Sequence, residues 1–246
     1  MASVRILNAK QIDNDTAANP QIVLTGANQP VSGRKLFIGI IGWWGLGYGN
    51  PAQYTHSVSD DKSSAWSRLD NGTDTANPPN ERAYIYGCDY AGSGDCTIQI
   101  NQAAIAGQYV CSGVIEIDGL IPTGYNDTGA RGSARGNTSG VDAIATGAGA
   151  TAQADNVLLS CMAVTHGSAT AGVAVPAGWQ TVFTESNGSA NESGGFAYKE
   201  ISATETPTAQ WSYVDTAERW QAVVIALKAQ AAAQTPPVGR RIYVMP

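Results

Sequence analysis

Short apolar runs rich in β-branched and aromatic residues recur along this chain, each bounded by Gly, Pro, Asn, Asp or Ser. Runs of this composition between turn-forming residues predict β-strands. The first is Leu36-Phe37-Ile38-Gly39-Ile40-Ile41, followed by Ala65-Trp66, Ala83-Tyr84-Ile85-Tyr86, Thr97-Ile98-Gln99-Ile100 and Val114-Ile115-Glu116-Ile117. The same order returns later: Val157-Leu158-Leu159-Ser160-Cys161-Met162-Ala163-Val164, Gly178-Trp179, Phe196-Ala197-Tyr198, Ala209-Gln210-Trp211-Ser212-Tyr213 and Ala222-Val223-Val224-Ile225-Ala226-Leu227. The interval is nearly constant from Trp66 to Trp179, from Ile98 to Trp211 and from Ile115 to Leu227. A constant shift of this kind predicts two related sheet-forming halves.

Four strands per half give eight in all, and neither half buries its apolar face alone. The expected fold is all-β: an eight-or-more-stranded, jelly-roll-type β-sandwich built from two similar halves, residues 36–121 and 155–228, with extensions at both ends. Two further strand-like segments, Val4-Arg5-Ile6-Leu7 and Gln21-Ile22-Val23-Leu24, fall in residues 1–35, outside the repeat. They predict edge strands or an arm that pairs with a neighbouring subunit. Residues 122–154, rich in Gly, Ser and Ala, predict a long exposed connection. Residues 229–246 combine an Ala/Gln/Pro spacer with Arg240, Arg241, Ile242, Tyr243 and Val244. This tail is a candidate assembly strand that docks on other subunits, or else a closing strand of the same domain.

Hydrophobic residues make up 43% of the 246 and charged ones 14%, so a large core is available and solubility rests on Ser, Thr, Asn, Gln and Gly. The net charge of −6, with no basic cluster beyond Arg240-Arg241, argues against nucleic acid as a partner. The first residues lack an apolar signal region and no stretch is long enough to span a bilayer, so the expectation is synthesis in a cytoplasm, no ordinary signal peptide and no membrane partner.

Catalytic chemistry has few footholds. His56 and His166 are the two histidines, and neither sits in a recognisable catalytic context. Glu116, Asp118, Glu185, Glu192 and Glu200 are the carboxylates a glycosidase would need to pair, but no motif pairs them, and alternating residues such as Glu116 and Asp118 suit the wet face of a strand. Asp60-Asp61-Lys62-Ser63-Ser64 suits an Asx-type turn better than a calcium loop. No metal or other cofactor is expected. Cys88 and Cys96 flank a turn-like stretch that would set their sulfurs opposite each other across paired strands. They are a candidate disulfide or, equally, two buried free thiols. The glycine-spaced aromatic segment with Trp43, Trp44, Tyr48 and Tyr54 offers ring faces for a glycan or a partner protein. Trp66, Trp179, Trp211 and Trp220 lie within the repeat and are assigned to the core.

Several of these segments together resemble a known family: Leu36-Phe37-Ile38-Gly39-Ile40; Ser57-Val58-Ser59-Asp60 with Ala65-Trp66; Tyr86-Gly87 with Ala91-Gly92-Ser93-Gly94-Asp95-Cys96-Thr97-Ile98-Gln99-Ile100; Pro176-Ala177-Gly178-Trp179; and Val223-Val224-Ile225-Ala226-Leu227-Lys228. They resemble the jelly-roll structural proteins of tailed bacteriophages, over roughly residues 20–228. The resemblance implies a virion component without catalytic residues. The leading expectation is a capsid decoration protein that binds the major capsid protein or other virion proteins and forms homo-oligomers. The alternative is a carbohydrate-binding module of a fibre or spike recognising host-surface glycans.

Overall fold

The computed structural model describes residues 2–13, 19–43, 57–72, 81–101, 109–136, 143–166, 172–187, 192–213 and 217–231. Among them the first half forms β1 (Ser3–Asp13), β2 (Gln21–Leu24), β3 (Lys35–Trp43), β4 (Ser57–Asp60), β5 (Ser67–Arg68), β6 (Glu81–Asp89), β7 (Cys96–Asn101) and β8 (Tyr109–Asp118). The second half forms β9 (Gly132–Gly136), β10 (Ala143–Thr146), β11 (Asn156–His166), β12 (Val173–Ala174), β13 (Gln180–Asn187), β14 (Glu192–Ile201), β15 (Thr208–Tyr213) and β16 (Ala217–Lys228). A single 3-10 turn, Gly26–Asn28, completes the regular structure of the described residues.

The first half makes a five-stranded sheet in the order β1-β8-β3-β6-β5 and a three-stranded sheet in the order β2-β7-β4. The second makes β9-β16-β11-β14-β13 and β10-β15-β12, so adding eight to each label of one pair of sheets yields the other pair. Every pairing is antiparallel.

Burial explains the sequence pattern. On β7, exposure alternates residue by residue, because one face meets the core and the other meets water. On β3 the apolar run is unbroken because both faces are covered: Leu36, Ile38 and Ile40 point into a core shared with β2, β4 and β7, while Phe37 and Ile41 point into a core shared with the second half. The molecule is thus a stack of three, five, five and three strands with a core in each gap.

The central gap is closed by complementary shapes. Gly39 and Gly113 sit opposite each other on β3 and β8 and leave a notch in the sheet. A Cβ at Gly39 would lie 2.3 Å from Phe196 Cγ, and one at Gly113 would lie 2.7 Å from a Phe183 ring carbon. The two phenylalanine rings of the second half fill the notch side by side, their centroids 6.4 Å apart.

Three expectations are corrected here. Among the described residues each half has eight strands, not four, and buries a core of its own besides the shared one. The segments in residues 1–35 and 122–154 belong to the repeat, since β1 and β2 are matched by β9 and β10. Two of the glycines that suggest a loop in 122–154 serve close approach instead: a Cβ at Gly132 would lie 1.8 Å from the Thr146 carbonyl, and one at Gly147 would lie 2.2 Å from that of Ala130. Finally, residues 89–95 are not a hairpin turn. Cys88 on β6 and Cys96 on β7 belong to different sheets, so no ladder sets their sulfurs across from each other.

Both halves point the same way. In the first, Asp13, Trp43, Glu81 and Tyr109 end or begin strands at one edge of the sheet, where Asp13 pairs with Val110 and Trp43 with both Glu81 and Tyr109. In the second, Thr165, Glu192 and Arg219 meet at the corresponding edge. The edges coincide, since Ala83 N–H donates to Gln221 Oε1 and the Ile41 side chain lies against Gly194. At the opposite end Leu120 bridges to Ala229 and Gln230 N–H donates to the Gly119 carbonyl.

Candidate functional site

The aromatic candidates divide at the end of β3. Trp43 is its last residue, at the edge where both halves converge, while Trp44, Tyr48 and Tyr54 lie outside the described residues. Arg240, Arg241, Ile242, Tyr243 and Val244 lie outside them too, as does His56. Of the four tryptophans assigned to the core, Trp211 and Trp220 are buried and Trp66 and Trp179 are half-buried against it.

Two of the carboxylates that invite a catalytic reading, Glu116 and Asp118, are committed to structure. Glu116 is buried rather than on a wet face: Arg34 (2.8 Å) and Arg5 (3.0 Å) pair with Oε1, and Val31 N–H donates to Oε2 at 2.6 Å. Arg34 also reaches Asp118 at 3.4 Å, so these two carboxylates neutralise a cation pair that holds β1 and the segment before β3 against β8. Asp70, likewise enclosed, accepts from Arg68 and from the backbone N–H groups of Gly72 and Ile85. Lys35 pairs with Asp89, donates to the Pro122 carbonyl and lies 4.4 Å from the centre of the Tyr125 ring.

Asp60 forms the expected Asx-type turn. Its Oδ1 accepts from Lys62 N–H (2.8 Å) and Ser64 N–H (3.0 Å), and its Oδ2 accepts from Trp66 Nε1–H (2.8 Å). Burial by itself would raise this carboxyl, but the bonds from Ser64, Trp66 and Lys62 outweigh it and hold the group below its ordinary range. The carboxylate is occupied by hydrogen-bond donors, where a cation would need further oxygens. No cluster of metal-ligating side chains occurs among the described residues.

All four cysteines are buried and none is joined in a disulfide. Burial, with the charges of Asp60 and Asp61, pushes the Cys96 thiol up to about 12, and burial likewise raises Cys88 and Cys161. Thiols held protonated in this way are poor nucleophiles. Two small cavities lie near the seam: one of about 140 Å³ beside Ala2, Asp155, Asn156 and Glu200, and one of about 220 Å³ beside Ser133, Arg135 and Gln221.

The most organised polar surface was not singled out by the sequence. On the outer face of β2-β7-β4, Gln21 Nε2 donates to Gln99 Oε1 (3.1 Å), Gln99 Nε2 donates to Asn101 Oδ1 (2.6 Å), and Asn101 Nδ2 donates to the hydroxyls of Ser59 (3.0 Å) and Ser57 (3.3 Å). Val23 and Thr97 are paired beside this chain of bonds, Val23 being 60% exposed. The outward residues of these strands include no charged side chain. The alternation Thr97-Ile98-Gln99-Ile100-Asn101 is a usable signal for one row of this face. The strands that flank it are distant in sequence, and only the fold brings them alongside.

No family model, curated protein or solved structure matches the chain.

Proposed function

We propose that this chain is a non-enzymatic structural protein of a tailed-phage particle, a decoration protein that binds the outside of the assembled capsid, with each half a jelly roll. The strand order supports the architectural part: first pairs with eighth, second with seventh and third with sixth, as a folded-over ribbon of strands requires. One observation carries the functional part. The buried Glu116, Asp70 and Lys35 direct their bonds to their own chain, so these ionisable groups brace a rigid block instead of lining a cleft. A rigid, charge-poor block suits a shell component, whose task is to bury surface across neighbouring subunits. Its partners would be the major capsid protein and sister copies, and its location the virion. Co-sedimentation of the full chain with undecorated capsids tests this, beside a version ending at Lys228. Saturable binding supports decoration, and its loss on truncation assigns docking to the tail. No binding by either form refutes decoration.

A second reading is favoured by the convergence of both halves at the edge that holds Trp43. In it, Trp43, Trp44, Tyr48 and Tyr54 bind host-surface glycans, and a glycan array with alanine replacements at these rings tests it.

A further inference from the structure

We infer that the outer face of β2-β7-β4 is a binding surface for a neutral polysaccharide. Three observations carry this. The outward side chains of the three strands are amides, hydroxyls and the Val23 methyls, and the exposed Asp61 at their end, whose Oδ1 accepts from Thr97 N–H (3.0 Å), is paired with Lys62 (3.5 Å), which leaves little electrostatic attraction for an ionic polymer. Its side chains are tied to one another from Gln21 through Gln99 and Asn101 to Ser57 and Ser59, so little rotamer freedom remains to be lost on binding. The amides of Gln21 and Gln99 keep unused capacity, because each amide nitrogen carries two hydrogens and each oxygen two lone pairs, of which this row of bonds uses at most one; Asn101 spends both its hydrogens on Ser57 and Ser59.

Sugar hydroxyls both donate and accept, so neighbouring hydroxyls on a pyranose ring can meet an amide at both its atoms. The exposed methyls of Val23, beside Thr97, offer an apolar spot for the C–H face of a ring. Polar side chains two apart on a strand repeat about every 6.6 Å, and strands lie about 4.8 Å apart, so a polymer of repeating hydroxyls is held at several points at once. A second copy of this chain fits the same face less well, since covering it with protein would require partners for the unused amide groups of Gln21 and Gln99 and would bury the exposed Val23 in return.

The inference is independent of capsid binding and of the aromatic rings. Native-gel electrophoresis of the full chain through dextran, soluble starch and hydroxyethyl cellulose, with alginate as the charged control, reads it directly. The expected result is retardation by at least one neutral polymer and none by alginate. The paired substitution Gln99→Ala, Asn101→Ala should weaken retardation at least about tenfold while the melting temperature stays close to that of the parent. Gln21→Ala, at an exposed edge position, should weaken it in the same direction with no demand on folding. Substituting Trp43 and Trp44 should leave it unchanged. No retardation by any neutral polymer, or retardation that survives both substitutions at the amides, overturns the inference. So does light scattering that finds an oligomer dissolved by Gln99→Lys, which would make the face a contact between copies.

Discussion

The two halves share a strand order and solve the burial problem differently. Where they meet, the first half gives way and the second fills: β3 and β8 place Gly39 and Gly113 opposite each other, and β13 and β14 send Phe183 and Phe196 into the gap. The reciprocal side is not a copy, for β6, the counterpart of β14, brings Ala83 and Ile85 to the shared core, and β11 brings Leu159 and Cys161. Polar burial differs as well. The first half encloses Glu116 and Asp70 with cations and backbone donors, whereas the second buries Ser160 between the Trp211 indole N–H (2.9 Å) and the Val223 carbonyl (2.8 Å). A repeated topology therefore constrains which strands are neighbours and leaves the chemistry of each contact free to diverge.

The sharpest way to break this complementarity is Gly39→Val. The new side chain would start inside van der Waals contact with the Phe196 ring, and a loss of about 3 kcal/mol or more is expected in urea unfolding. Adding Phe196→Ala should recover part of it, and a double-mutant cycle with no coupling would refute the notch. Next in size is Glu116→Ala, which removes the acceptor shared by Arg5, Arg34 and Val31 N–H. Since both arginines can turn to water, about 2 kcal/mol is expected, measured the same way. Ser160→Ala leaves the Trp211 indole N–H without its acceptor in a dry core, for about 1 to 2 kcal/mol and a changed tryptophan fluorescence spectrum.

The smallest effect is a pH dependence that arises at Asp60 in the first half. Asp60 is held below its ordinary 3.8, so the folded state binds its proton less tightly than the unfolded one. Its contribution is present above that value and fades as the pH drops through the lower folded value. Solvent screening keeps it under about 1 kcal/mol. Asp60→Asn should flatten the acid limb of the stability curve below pH 4, and an unchanged limb would remove Asp60 from the account.

Much of the fold was legible in short stretches. The alternation in Thr97-Ile98-Gln99-Ile100 gave β7, and the constant interval between Trp66 and Trp179 gave the duplication, because both depend on local periodicity. Strand number was not legible. β9 is Gly132-Ser133-Ala134-Arg135-Gly136, a composition that suits a loop, and it is a strand because β16 supplies its ladder, Gly132 admits the Thr146 backbone and Gly136 admits the Trp220 ring. Glu116 misleads for a related reason: alternation with Ile115 and Ile117 suggests a wet face, and only the arrival of Arg5 and Arg34 from other segments covers it.

What the sequence determined by itself is the all-β character, the two halves and the inward-facing residues of the strongest strands, since side-chain periodicity and turn residues act over a few positions. What the tertiary structure decided is everything that depends on distant segments meeting: the four-layer stack, the fit of Phe183 and Phe196 over paired glycines, the encirclement of Glu116, and the row of linked amides from Gln21 to Asn101. Those contacts join residues far apart along the chain, and their partners are chosen by packing and charge in three dimensions.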